Sequence, residues 1–190
     1  MNNIPGLISN EDGFGYGGEI ILPAWKGFQS RNGPYCSIDS PKPSNGKCQI
    51  FVIPEYEEED WAVQEYHIKA YDYLIENQDE IKQRMLNALI NEYSKLQEMY
   101  AYEPEEKEEY MPDVKDTDDF KKILGLSIVH LIDVEKDGYC YVGFELGCNW
   151  DDEHGVGIMT YKDRIVKIGG GDTAFLTWIA EQDKKLGAPT

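Results

Sequence analysis

Positive charge is scarce in this sequence, and its scarcity limits the partners that the protein can have. The 190 residues include 18 lysines and arginines against 36 aspartates and glutamates, so the formal net charge is -18 at pH 7. Such a charge repels nucleic acids and anionic membranes, and it attracts cations and basic proteins. We therefore expect no nucleic-acid or membrane partner. Unless the acidity only keeps the protein in solution, we expect a basic protein as the partner.

Long apolar runs are missing as well. None approaches the roughly 20 residues that a membrane-spanning helix requires. The first residues, Met1 to Glu11, also lack the basic region and the apolar core of a secretion signal. Together these two absences predict a protein that stays in the cytoplasm.

Cysteine pairs with metal-binding spacing are a third absence. The chain has 4 cysteines, and no two of them form a C-x-x-C motif. This argues against a zinc knuckle and against a thioredoxin-type redox site. Disulfides are not expected either, because the cytoplasm keeps thiols reduced. We predict free thiols, buried or half-buried, at Cys36, Cys48, Cys140 and Cys148.

Apolar residues, in contrast, are sufficient for one folded domain over residues 1–190. Hydrophobic residues make up 41% of the chain and aromatic residues 12%, as in a globular protein. The clearest strand signals are residues 126–134 and 139–148, which flank an Asp-Gly turn. A second pair, 156–161 and 165–168, follows. Connections this short predict antiparallel strands.

Helical segments are predicted before and after these strands. Residues 55–100 have apolar side chains at helical spacing with a break at Asn77, which predicts an inserted hairpin of two helices. Residues 101–116, rich in glutamate, are predicted to form an acidic linker. Asp172 or Thr173 is expected to cap a C-terminal helix that packs on the sheet. The packing stripe of that helix consists of Phe175, Trp178, Ile179 and Gln182.

These segments define an expected fold class. It is α+β, an antiparallel β-meander packed by a C-terminal helix, with an inserted helical hairpin.

The densest polar cluster follows Trp150, which we expect to fill the core at a corner between two strands. The cluster consists of Asp151, Asp152, Glu153 and His154. Carboxylates beside an imidazole are able to bind a divalent cation or to move protons. Alternatively, the acids accept backbone hydrogen bonds in a structural corner, or they form a surface for partner recognition. The spacing matches neither a zinc site nor a calcium loop, so we predict no metal, no cofactor and no catalytic residue.

Two acidic strips are candidates for contact with a basic partner. One covers residues 55–60, with Tyr56 inside it. The other has four glutamates between two tyrosines, namely Tyr102, Glu105, Glu106, Glu108, Glu109 and Tyr110. Complementary charge speeds the encounter of two proteins, whereas a buried aromatic anchor holds them together.

Several blocks of sequence carry a resemblance to a known family. Residues 149–157 read N-W-D-D-E-H-G-V-G, residues 162–166 form a short hairpin, and residues 171–175 read G-D-T-A-F. They resemble the C-terminal signature of an uncharacterised bacterial family, a domain of unknown function, and residues 21–28 resemble its N-terminal part. That family is similar in size, acidity and layout to immunity proteins of bacterial toxin systems. The resemblance implies no catalytic residue.

Three functions are compatible with these observations. Our first hypothesis is a non-enzymatic cytoplasmic binding protein, immunity-like, that neutralises a basic, toxin-like protein partner. An alternative is a metal-dependent or acid–base hydrolase centred on Glu153 and His154. The other alternative is a housekeeping interaction module. The oligomeric state is not indicated by the sequence.

Overall fold

A seven-stranded sheet organises the computed structural model, which describes residues 4–9, 15–54 and 61–187. The strands are β1 (Ile8–Ser9), β2 (Tyr16–Ile21), β3 (Lys47–Ile53), β4 (Leu124–Lys136), β5 (Tyr139–Cys148), β6 (Val156–Tyr161) and β7 (Arg164–Gly169). They lie side by side in chain order. All neighbours are antiparallel except β3 and β4, which run parallel. The fold is therefore α+β as predicted, with a mixed, mostly antiparallel sheet rather than a purely antiparallel meander.

The two hairpins predicted near the C-terminus are confirmed. Asp137 and Gly138 join β4 to β5 with φ angles of 48° and 80°, the left-handed values that an Asp-Gly hairpin turn requires. Strands β5 and β6 have the predicted bounds, and β7 is longer than predicted by one residue at each end. These elements could be predicted because their signals are local.

A single long helix replaces the predicted helical hairpin. Helix α1 runs from Glu65 to Tyr100, 36 residues, and the prediction of two antiparallel helices is wrong. Asn77 does leave helical geometry, with φ -116° and ψ 16°, but its side-chain amide donates to the Tyr73 carbonyl at 2.8 Å. The chain therefore kinks there and continues forward. At 1.5 Å per residue the helix is about 54 Å long. This length returns the chain across the sheet, as the parallel pairing of β3 with β4 requires.

The predicted acidic linker contains a helix. Helix α2 extends from Pro104 to Tyr110, with proline at its first turn and Glu105 and Glu106 beside it. Proline suits the first turn because that turn has no amide hydrogen bonds to lose, and acidic side chains there are stabilised by the helix dipole. These local effects outweigh the mutual repulsion of the glutamates, on which the linker prediction was based.

The C-terminal helix begins later than predicted. Helix α3 runs from Thr177 to Leu186, and residues 171–174 form a separate 3-10 turn. Of the predicted stripe, Phe175 is 43% exposed and Trp178 is 54% exposed, whereas Ile179 is buried. Ala180 packs on the sheet together with Ile179, whereas Phe175 keeps only a ring contact with His130 of β4, at a centroid distance of 5.3 Å. The later start changes which side chains face the sheet, so of the predicted stripe only Ile179 is buried there.

The sheet is covered on both faces. Helix α1 packs on one face through buried residues such as Leu74, Ile81, Met85 and Leu89. Helix α3 packs on part of the other face, over Ile132, Val134, Tyr141 and Met159. Within the described ranges, no helix combines the length and the apolar character needed to cross a membrane.

Candidate functional site

Trp150 lies under the corner that joins β5 to β6. Its side chain is 2% exposed, and the ring of Tyr93 on α1 meets it edge to face at a centroid distance of 5.6 Å. Gly155 closes the corner with φ of 63°, a left-handed angle that side chains resist. The prediction that Trp150 fills the core at this corner is confirmed.

The Asp151 carboxylate holds the corner together through hydrogen bonds. It accepts hydrogen bonds from the Tyr100 hydroxyl at 2.6 Å and from the His154 backbone N–H at 2.8 Å. Partial burial would raise the pKa of Asp151, but the hydrogen bonds from Tyr100 and His154 outweigh it and lower that pKa. The carboxylate therefore stays ionised and ties the corner to the end of α1.

The other polar residues of the corner face solvent. The side chains of His154 and Asp152 are 72% and 79% exposed, and Glu153 is exposed as well. The His154 ring lies beside Asp151, 3.1 Å from its carboxylate. Among the residues that the structure describes, no three histidine, cysteine or carboxylate side chains are arranged to hold a metal ion.

The acidic strip lies directly beside this corner. Glu105, Glu106, Glu108 and Glu109 are all exposed on α2. Tyr102 connects them to the corner, because its hydroxyl donates to the Trp150 carbonyl at 2.9 Å and its ring lies 5.7 Å from that of Tyr110. The structure thus brings together two sets of residues that the sequence presented separately. We call the combined surface, Glu105, Glu106, Glu108, Glu109, Asp152 and Glu153, the acidic face.

The pKa of Tyr102 reflects how close these charged groups lie to it. Burial raises the pKa of Tyr102, and the negative charges of Asp151, Asp152 and Glu106 raise it further. Two cations lie close to the acidic face: Lys107 belongs to α2 itself, and Arg31 lies 3.8 Å from the Asp152 carboxylate. Lys107 bonds Asp113 at 2.8 Å, and the buried Arg31 donates to the Asn149 side chain at 2.6 Å. Their charges are thus only partly available to the acidic face. The other predicted strip, residues 55–60 with Tyr56, lies outside the described residues.

The three histidines of the chain are each paired with a different carboxylate. His154 pairs with Asp151, whereas His67 lies 3.4 Å from Asp133 and His130 lies 3.0 Å from Glu145. Burial lowers the pKa of His67 to about 4, so this imidazole is neutral in the core.

All four cysteines are buried free thiols, as predicted. Burial raises the pKa of Cys48 and of Cys148 to about 12. Burial also raises the pKa of Cys36 to about 11. Since the thiolate is the reactive form, these thiols are inert at neutral pH.

A second polar cluster was missed by the sequence analysis. Glu145 on β5 accepts a hydrogen bond from the Cys36 thiol, with 3.3 Å from Sγ to Oε1, and its other oxygen contacts His130. His130 and Glu145 lie on the two strands of the β4–β5 hairpin, whereas Cys36 comes from a distant part of the chain, so its spacing carries no signal. The one available signal is Glu145 itself, the single charged residue in an otherwise apolar strand.

Comparison with known proteins gives a family. The domain of unknown function DUF6985 matches residues 24–176, which include the corner, the two C-terminal blocks and most of the N-terminal block. No curated protein and no solved structure matches the chain. Nothing in these comparisons concerns immunity proteins. Since the match covers well over half of the sequence, the chain belongs to the DUF6985 family of unknown function.

Proposed function

We propose that this protein is a non-enzymatic, cytoplasmic binding protein that recognises a basic protein through its acidic face. Its role would be immunity-like, the neutralisation of a toxin-like partner. The observation that carries the proposal is the position of α2, which presents four exposed glutamates beside the tyrosines that join it to the corner.

The acidic face is held in place before a partner arrives. The Gln97 side chain donates to the Met111 carbonyl at 3.0 Å, and Met111 is buried at the end of α2. The Tyr102 hydroxyl fixes the other end of the helix on the corner. A surface that is already ordered loses little conformational entropy on binding, which favours affinity.

Aromatic side chains next to the glutamates provide anchors. Tyr110 is 37% exposed, and the rings of Tyr100 and Tyr102 stack at 6.2 Å with an interplanar angle of 6°. Tyrosine is enriched among the residues that dominate interface energies because it buries a large area and keeps a polar tip. The glutamates would then speed association and the tyrosines would slow release.

The hydrolase alternative finds less support in the geometry. An active site centred on Glu153 and His154 requires a concave pocket with converging polar groups. Both residues are exposed, and the Asp151 carboxylate beside them is occupied by hydrogen bonds within the corner. A housekeeping interaction module would use the same acidic face, so only the identity of the partner separates it from the immunity-like role.

The test compares two variants that lose the same number of charges. One replaces the four glutamates of α2, Glu105, Glu106, Glu108 and Glu109, with glutamine. The matched control changes four surface carboxylates elsewhere, Asp72→Asn, Glu76→Gln, Asp137→Asn and Glu181→Gln. The partner is captured from the native cell with the tagged wild-type chain. A carbodiimide, which joins carboxylates to lysines, then maps the contact by mass spectrometry.

We expect cross-links on α2 and a basic partner. The α2 variant should associate more slowly, with a weaker dependence on ionic strength, and the control should behave like wild type. Both variants should remain folded, since exposed charges contribute little to stability. An acidic partner, or equal association rates and salt dependence for the two variants, would contradict the proposal.

A further inference from the structure

The sheet face opposite α1 is covered at two places with an opening between them. Side chains alternate along a strand, so Gly143, Glu145 and Gly147 of β5 share this face. A side chain at Gly143 would overlap the Ala174 carbonyl, and one at Gly147 would overlap the Cys36 carbonyl. The two glycines let the backbone press on the sheet at both places. Glu145 stands between them.

Glu145 is a partly buried carboxylate whose contacts are a thiol and an imidazole. Its side chain is 20% exposed, its oxygens contact Cys36 and His130, and in the described part of the chain no lysine or arginine lies within 4.0 Å of it. A carboxylate accepts hydrogen bonds in about four directions, so these two contacts leave acceptor capacity unused. Removing a carboxylate from water without a lysine or arginine partner costs free energy, which a bound cation would recover.

The segment that covers one side of the opening is strained. Tyr35 and Cys36 have φ angles of 55° and 57°, two consecutive non-glycine residues in the left-handed region. Strain of this kind persists only where surrounding contacts enforce it, and it concentrates at functional sites. Here it turns the Cys36 thiol onto Glu145 and leaves the Tyr35 side chain 86% exposed.

Glu145 and His130 each line a cavity that is open to the surface. The larger, about 480 Å³, is lined by Glu145, Gln49 and Tyr35 among others. The smaller, about 170 Å³, is lined by His130, Phe51 and Phe175. The larger volume is within the usual range for small-molecule sites, roughly 300–1,000 Å³.

The charge and the aromatic rings at this opening favour a cationic ligand. The fixed charge is a carboxylate, so an anionic ligand is disfavoured. Tyr35 lines the cavity beside Glu145, and the rings of Phe51 and Phe175 lie 6.2 Å and 5.3 Å from the imidazole of the neighbouring His130. A planar guanidinium donates two parallel hydrogen bonds to a carboxylate and also stacks on aromatic rings.

We propose that this opening, the Glu145 cleft, binds a small organic cation that carries an alkylguanidinium group. Glu145 accepts the hydrogen bonds of the guanidinium, and the Tyr35 and Phe51 rings contact its face and its alkyl chain. This site lies on the sheet face opposite α1, and it is independent of the proposed use of the acidic face.

The test uses n-butylguanidinium and its neutral isostere n-butylurea as probes. Binding is followed by amide chemical shifts and by calorimetry. We expect the guanidinium to bind and to shift the amides of residues 35–36, 128–130 and 145. We expect the urea to bind at least about tenfold more weakly, because it cannot form charge-assisted hydrogen bonds.

Two variants locate the site. Glu145→Gln keeps the shape of the side chain and removes its charge, and it should weaken guanidinium binding at least about tenfold. Tyr35→Asn removes the ring at an exposed position where asparagine accepts a left-handed backbone, and it should weaken binding several-fold without loss of folding. Glu153→Gln, on the acidic face, is the control and should bind as wild type.

Three outcomes would overturn the proposal. The proposal is wrong if n-butylguanidinium does not bind, if n-butylurea binds equally well, or if a folded Glu145→Gln variant keeps wild-type affinity. The Tyr35→Asn variant keeps the proposal testable if Glu145→Gln does not fold, because wild-type affinity in Tyr35→Asn would then exclude this site.

Discussion

Replacing Asp183 with asparagine tests how strongly one carboxylate holds α3 to the sheet. The two oxygens of Asp183 accept parallel hydrogen bonds from the two terminal nitrogens of Arg164, at 2.9 Å and 2.6 Å. Asp183 also accepts a hydrogen bond from the buried Tyr141 hydroxyl at 2.8 Å. Lys136 contacts the same carboxylate at 3.2 Å. The hydrogen bonds from Arg164 are the main reason that the pKa of Asp183 falls from 3.8 to about 2.

That pKa difference sets the magnitude. Since one pKa unit corresponds to about 1.36 kcal/mol, a fall of about two units makes the ionised carboxylate worth roughly 2–3 kcal/mol of folding stability. The side chain of Asp183 is only 16% exposed, so solvent screens this contribution little. Because the pKa is lower in the folded state, the contribution is complete above pH 3.8 and is lost as the pH falls towards about 2.

Asp183→Asn should therefore lower the free energy of unfolding by roughly 2–3 kcal/mol at neutral pH, and the difference from wild type should shrink in acid. Urea unfolding of both proteins at about pH 7, 5 and 2.5 measures this difference directly. The exposed Asp72→Asn is the control and should change stability by less than about 0.5 kcal/mol. A difference between wild type and Asp183→Asn that is as large at pH 2.5 as at pH 7 would refute the reasoning.

Other predictions concern the core, a glycine and metal binding. Trp150→Ala should cost about 3–5 kcal/mol, and an unchanged urea midpoint would mean that the ring contributes no packing. Gly143→Ala should lower the free energy of unfolding by about 3 kcal/mol or more, because the new methyl group overlaps the Ala174 carbonyl. Gly170→Ala is the control: its methyl group meets only a carboxylate oxygen of Asp172, so the thermal melt of this variant should resemble that of wild type. Elemental analysis of the purified protein should find no transition metal or calcium. A metal content near one equivalent per chain that disappears in the His154→Ala variant would contradict this.

The strands after residue 124 could be predicted from sequence, because their signals lie within a few residues of each other. The Asp137–Gly138 turn fixes the β4–β5 hairpin, and the short connection between β6 and β7 leaves only antiparallel pairing. The parallel pairing of β3 with β4 could not be predicted in this way. Its partners, such as Gln49 and Ile128, are far apart in the chain and share no turn.

The two errors in the helical region have a common cause. Asn77 and the glutamates of residues 101–116 were interpreted by their average preferences. Asparagine costs only a fraction of about 1 kcal/mol inside a helix, which packing of the flanking apolar residues easily exceeds. The charge repulsion in α2 is likewise weaker than the combined effect of Pro104 at its start and Glu105 beside the helix dipole. In both places the local preference of the residues is too weak to determine the structure.

The position of Glu145 in β5 shows a sequence pattern that marks a partly enclosed carboxylate. In β5 a carboxylate stands in a strand whose other residues are apolar or glycine, and the glycines lie two positions away on each side. Glycines at that spacing lie on the same face of a strand as the charge, and each admits backbone from another segment. Covering segments on both sides leave an opening over the charged residue between them. The pattern G-x-E-x-G in a buried strand therefore predicts a partly enclosed carboxylate. It does not predict Cys36 as a neighbour, because a strained loop far away in the chain brings that residue there, whereas the pairing of β4 with β5 brings His130 close.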